Sequence, residues 1–486
     1  MKSKLIILLI AMYLTTIVSC QPQLPQINEY KEETPKIYPD YKDVTIPVNI
    51  APLNFGLREE VENAIVIIAN SHTSFNVWMN KQTFQIPQSK WRDLLKKTAG
   101  QSIQFTVLTQ KKNTWTAYQP FEIHVSTDSI DPYLVYRKIA PGYELWKKMG
   151  IYQRHLTNFD ESPVLENDQT NNNCMNCHSF CNRNPNQFLL HMRSQLSGTY
   201  FITDNNVNKL NLNKSSLVYP SWHPSGRFVA FSMNLTKQFF HPNSRNRIEV
   251  YDEASDIVVY DLEKEKIISS PYLNSNQAFE TFPTFSADGN TLYFCTAQAC
   301  KMPDNYQHIK YNLCAISFNP QESTFGKQVD TLYSAGKEGK SVSFPRTSPD
   351  GKYLLYTLSN YGNFSIWHKD ADLYWIDLKT GLHRKIDEVN STDVESYHSW
   401  SSNSRWFVFS SRRKDGLYTQ PYIAHVSPNG QIDKPFILPQ SLSSFYKNEM
   451  YSYNIPEFTT GKISIPARVI KKVAQSKGKY ISINSQ

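Results

Sequence analysis

The sequence predicts an all-β chain: a small antiparallel sandwich followed by a propeller of five blades, with six as the alternative. Short apolar-alternating runs crowd residues 39–130, and one strand–turn–strand phrase recurs four times between residues 221 and 410. Composition bounds the class. Of 486 residues 40% are hydrophobic and 19% charged, which excludes collagen-like and disordered chains. No segment after the first twenty residues is apolar enough to span a bilayer. Seven cysteines in so long a chain exclude a small disulfide scaffold.

Lys2 and Lys4 precede an apolar run, Leu5 to Val18, which reads as an export signal over residues 1–19. It ends in Ile17-Val18-Ser19-Cys20. This string resembles the bacterial lipobox, in which the chain is cut before the cysteine and the new terminus is acylated. The resemblance implies a membrane anchor at Cys20 rather than a spanning helix. Gln21-Pro22-Gln23 comes next without an Asp at the second position, which by lipoprotein sorting rules implies outer-membrane attachment facing the periplasm. Residues 20–38, rich in Pro and Gln, form the lipidated tether.

Residues 39–130 hold the sandwich, immunoglobulin-like in its strand count. Its runs include Ala64-Ile65-Val66-Ile67-Ile68, Phe75-Asn76-Val77-Trp78 and Ile103-Gln104-Phe105-Thr106-Val107-Leu108, interrupted by one helical patch, Lys90 to Ala99. His72 and His124 read as surface or packing residues.

Residues 131–190 read as a connector carrying Cys174-Met175-Asn176-Cys177-His178. C-x-x-C-H is the attachment string of c-type haem. Two thiols on one short turn add across the vinyl groups, and the adjacent imidazole becomes the proximal iron ligand. Export agrees, because such haem is attached outside the cytoplasm. Two other readings stand beside one covalent haem c: a disulfide or inert thiol pair, and a zinc site of Cys174, Cys177, Cys181 and His191.

Residues 191–460 hold the propeller. Its phrases begin at Ser221-Trp222, Thr284-Phe285, Arg346-Thr347 and Ser399-Trp400, each followed by a turn and an apolar strand such as Phe228-Val229-Ala230-Phe231. Between them lie further strands, such as Asp256 to Leu262 and Asp372 to Leu378, so each period supplies four strands, the content of one blade. A fifth unit is expected from the two ends, pairing Tyr453 to Phe458 with Gly198 to Ile202 and Asn208 to Leu212. That pairing would close the ring and remove two exposed edges.

The phrase is similar to the WD-like repeat of TolB-type propellers. Cys177-His178-Ser179-Phe180, Leu190-His191-Met192-Arg193, Ser197-Gly198-Thr199 and Ser452 to Phe458 together resemble a family of Bacteroidetes-type lipoproteins that join such a propeller to a single C-x-x-C-H. The resemblance covers about residues 130–460 and implies architecture and location, not a reaction. His191 and Met192 are alternative sixth iron ligands, since alternation on a strand lets only one face the iron. The family's His-x-Arg pattern favours His191, with Arg193 placed for a haem propionate.

Cys295, Cys300 and Cys314 fall within one blade, where an oxidising compartment favours a disulfide among them. Cys181 is the odd thiol. Residues 461–486 hold Lys462, Arg468, Lys471, Lys472, Lys477 and Lys479 and no acid, so this basic tail carries six of the eight net positive charges. It reads as a solvated segment or a contact for anionic lipid or an acidic partner. Nucleic acid is not an expected partner. No G-x-S-x-G, H-E-x-x-H or dinucleotide fingerprint appears, and Gly336 to Ser341 is a loop rather than a phosphate cradle. The expectations are therefore haem-based electron transfer or redox sensing, with a protein partner docked at the propeller mouth. The alternative is an interaction scaffold with structural or no haem. Peroxide turnover would require an open iron position.

Overall fold

The computed structural model describes residues 24–140, 148–212, 217–241, 246 and 248–481. The export signal and Cys20 lie outside the described residues. Within them the chain is all-β and propeller-like, with three short helices.

In the amino-terminal region, Asn63–Ala69 pairs antiparallel with Ser74–Asn80 on one side and Ser102–Lys111 on the other. The outer edge of Ser102–Lys111 is shared. Its first half pairs with Phe121–Val125 and its second half with Thr114–Tyr118, so the eight-stranded sheet divides into two wings. Helix Gln88–Thr98 covers it, burying Trp91, Leu94 and Leu95 at helical spacing. This core is continuous with Trp406, Val408, Phe436 and Tyr453 of the second region.

Among the described residues the second region consists of six sheets. In chain order of their first strands, sheets two to six begin with Met175–Phe180, Leu217–Trp222, Ala278–Phe285, Ser341–Thr347 and Glu395–Trp400, each continuing outward through three consecutive strands. Sheet one combines Ser452–Thr459 from the chain's end with Tyr133–Ile139, Met149–His155 and Glu161–Glu166. Each first strand touches the next, and the sixth returns to Ser452–Thr459, which closes a ring. Separate apolar clusters fill the gaps between sheets one and two, two and three, three and four, four and five, and five and six. Every sheet therefore buries both faces, and this is why the repeated strands are apolar throughout rather than alternating.

Five expectations change. The described part of the 20–38 tether is built into the first region, where Glu29–Lys31 pairs parallel with Thr114–Tyr118 and Ile37–Tyr38 pairs with Gly56–Leu57. The 131–190 connector is itself three strands of sheet one and the first two of sheet two, so the ring starts at 133 rather than 191. Ser452–Thr459 pairs with Tyr133–Ile139, not with residues 198–212, which complete sheet two. Leu134, Val135 and Tyr136 are all fully buried there, but no Asp-Gly turn announces the strand. Cys295, Cys300 and Cys314 are free thiols. Cys295 packs between sheets four and five and Cys314 between three and four, so adjacent strands hold them on opposite faces. The basic tail is docked rather than loose. Helix Ala467–Ala474 buries Ile470 and Ala474 against sheets one and two, and Lys479–Ile481 adds to sheet two as a parallel fifth strand.

Candidate functional site at the ring of first strands

All six first strands break register at one matching place. The ladder skips two residues between Asn176 and Ser179, Val218 and Ser221, Thr281 and Thr284, Ser343 and Arg346, and Ser396 and Ser399. In sheet one the skip lies between Asn454 and Glu457. The skipped pairs are Cys177-His178, Tyr219-Pro220, Phe282-Pro283, Phe344-Pro345, Tyr397-His398 and Ile455-Pro456. Tyr219, Phe282, Phe344, Tyr397 and Ile455 have φ between 47° and 54°, a bulge conformation uncommon for residues with a side chain.

The bulge re-aims the two residues after it in each strand. The first of them, Ser179, Ser221, Thr284, Arg346, Ser399 or Glu457, lines one cavity of about 180 Å³ at the end of the ring. The second, Phe180, Trp222, Phe285, Thr347, Trp400 or Phe458, lines the same cavity. Four hydroxyls, one guanidinium and one carboxyl thus form an inner ring within a mostly aromatic rim. Indole N–H groups brace it: Trp222 Nε1 donates to the Ser179 carbonyl at 3.1 Å and Trp400 Nε1 to that of Arg346 at 3.3 Å.

The charged groups of the cavity come from sheets one, two and five. Glu457 Oε2 accepts from the Phe180 amide at 3.1 Å. Burial pushes its carboxyl up to about 7, against the opposing pull of Arg346, this amide and Arg183. Arg183, from the turn after the first strand of sheet two, also lines the cavity and donates from Nε to the Trp400 carbonyl at 2.8 Å. Burial lowers its pKa, while Asp131 and Glu457 oppose the shift. Asp131 is held behind the wall by the Ser402 amide at 2.7 Å and hydroxyl at 2.6 Å.

The residues expected to bind haem fall nearby but not into this cavity. His178 is 2% exposed, packs against Phe180, and faces the backbone of Val135 and Ile455 in sheet one. Burial, with Arg137 beside it, pushes its imidazole down to about 3. His398, at the matching position of sheet six, is 3% exposed and faces the backbone of Leu355 and Phe344 in sheet five. It too is pushed down to about 3, by burial and then by Arg346. Cys174 and Met192 lie in the core between sheets one and two. The Cys177 side chain lies outside the described residues. His191 is on the opposite face of the same strand, beside Leu189 in sequence alternation, and its Nδ1 meets Thr199 Oγ1 at 3.2 Å. Arg193 is two residues on, and its amide donates to the Cys174 carbonyl at 2.9 Å.

Both ring nitrogens of His178 and Nε2 of His191 are buried without a hydrogen-bond partner, but His178 is sealed between two sheets and His191 lies on the other face of the sheet, so the two do not converge on one space as packed here. Nor is the zinc set assembled: Cys174 packs between sheets one and two, Cys181 between two and three. Among the described residues no group of three His, Cys, Asp or Glu side chains is placed to hold a metal.

Four of the six inner-ring residues were legible in the sequence, since each recurring phrase opens on one of them: Ser221, Thr284, Arg346 and Ser399. Sequence reasoning missed Ser179, Glu457 and Arg183. The available signal was that Cys177-His178-Ser179-Phe180 and Ile455-Pro456-Glu457-Phe458 share the form of Tyr397-His398-Ser399-Trp400.

No family model and no curated protein matches the chain. Among solved structures it is similar to a DUF4784 family protein from Bacteroides caccae, at 7% identity and TM-score 0.25, covering 72% of this chain and 95% of that one. It is also similar to prolyl oligopeptidase B from Galerina marginata, at 10% identity and TM-score 0.32, covering 84% and 62%. A Bacillus subtilis arabinanase is similar at 10% identity and TM-score 0.28, covering 62% and 92%.

Proposed function

We propose that the chain is a recognition scaffold: a six-bladed propeller, carrying an immunoglobulin-like sandwich on blades six and one, that docks a partner at its channel mouth. In this reading the signal and Cys20 tether the scaffold to the outer membrane, facing the periplasm. One observation carries it. Twelve consecutive-pair positions, two from each blade, converge on a single cavity, and a polar ring inside an aromatic rim is what a binding site needs. The electron-transfer reading would require blade two to open so that His178 could reach a macrocycle.

Site-specific photo-crosslinking tests it. A crosslinking residue at Ala287, on the mouth, gives a discrete adduct in native cells; one at Tyr272, on the outer edge, gives none. Adducts at Tyr272 alone would overturn the reading. Co-expression with haem-attachment machinery gives a colourless protein with free thiols, and a covalent c-type spectrum would restore electron transfer.

A further inference from the structure

We propose that the mouth recognises a carboxylate, carried either by a small free acid or by the carboxy terminus of a peptide; this rests on the reading of the mouth as a docking site. Two guanidinium groups line the cavity, Arg346 from the inner ring and Arg183 from the neighbouring turn, against one carboxyl, Glu457. Asp131, the other acid acting on Arg183, stands behind the wall rather than in it. The cavity surface is therefore biased toward anions. Guanidinium forks match a carboxylate's two oxygens, and hydroxyls of the ring can donate to its remaining lone pairs.

Glu457 decides which anion. When ionised it stands beside whichever anion binds, and a phosphate dianion sets two negative charges against it where a carboxylate sets one, so like-charge repulsion disfavours the phosphate. An ammonium group would meet one carboxyl and two guanidiniums. Size points the same way. About 180 Å³ behind an aromatic rim admits a small acid or the last residues of a chain, not a folded surface.

The experiment is calorimetric titration of the full chain with trialanine, trialanine amide and succinate. Trialanine or succinate is expected to bind, with the amide at least tenfold weaker than trialanine. Succinate alone identifies a free acid, and trialanine alone a peptide terminus. Arg346→Gln is expected to weaken the acid at least tenfold, and Arg346→Lys, which keeps charge without the fork, less. Circular dichroism checks that both variants are folded, and Arg384→Gln on the outer surface leaves affinity unchanged. Equal binding of acid and amide overturns the carboxylate while leaving the mouth as a docking site. Absence of heat with all three probes also overturns it, and absence of rim crosslinks as well removes the docking reading.

Discussion

Sheets two and six carry His-Ser followed by an aromatic at the same bulge, and only one of them looks like chemistry. Cys177-His178-Ser179-Phe180 belongs to a C-x-x-C-H string, whereas Tyr397-His398-Ser399-Trp400 does not. Yet His178 and His398 are buried alike, and each faces the backbone of the positive-φ residue in the preceding sheet, Ile455 or Phe344. The other four sheets place Pro there. An imidazole in this position packs one sheet's bulge against the next, with neither ring nitrogen hydrogen-bonded. A string with a known chemical meaning can thus also be one copy of a structural repeat.

The comparison breaks most visibly at the rim. Phe180→Ala and Trp400→Ala each remove a buried aromatic from matching positions, and each should cost about 3–5 kcal/mol in urea unfolding. Near-equal losses support equivalence. A loss confined to Trp400→Ala would show that sheet two is held by something other than packing.

The histidines give the next effect. His178→Ala and His398→Ala each remove a buried imidazole whose two nitrogens have no hydrogen-bond partner, so the loss is one of packing, at about 0.5–3 kcal/mol. Pro at either position should be milder than Ala, because Pro220, Pro283, Pro345 and Pro456 already occupy the matching sites. A His178→Pro variant that unfolds while His398→Pro does not would break the equivalence.

Acid sensitivity arises from this pair together with His191. His178, His191 and His398 are each held down to about 3 by burial. The unfolded chain takes up protons below pH 6.5 that the folded chain refuses, so their contribution is whole above 6.5 and falls as pH drops toward 3. On the alkaline side Glu457 and Glu280, pushed up to about 7 and about 8, keep protons that the unfolded chain releases above 4.5, so stability falls as pH rises through those values. Melting temperature against pH should show both limbs. The acid limb should be shallower in a His178→Pro, His398→Pro double variant.

Much of this fold was legible. The four phrases gave sheets three to six because each pairs an Asp-Gly or Ser-rich turn with a run such as Tyr353-Leu354-Leu355-Tyr356, where local turn chemistry and burial agree. Sheet one was not, because its ladder joins residues 133–139 to 452–459 across the whole chain, and no local signal encodes so distant a pairing. The inner ring was readable wherever a phrase had been recognised. It was hidden in sheet two, where cysteine replaces the bulge aromatic and the eye follows the thiols. The alternation that put His191 and Met192 on opposite faces was sound, but nothing in the sequence said that two sheets would close over His178.

The smallest effect tests what sheet two has and sheet six lacks, a fifth strand from the basic tail. Lys479 on that strand pairs with Glu265, and both side chains are about half exposed, at 51% and 56%. Such a pair contributes less than about 1 kcal/mol and is screened by salt, so Lys479→Ala should shift the urea midpoint barely and not at all in high salt. Lys209 does a different job from the neighbouring strand. Its ammonium donates to the carbonyls of Ala474 at 3.0 Å and Ser476 at 3.2 Å, satisfying groups at the end of the tail helix. Lys209→Met should therefore cost more than Lys479→Ala, and hydrogen exchange should loosen residues 467–481 without touching sheet six. If the exposed pair proved the stronger, the tail would be held by its charges, and the six basic residues would be structural rather than free to meet an anionic surface.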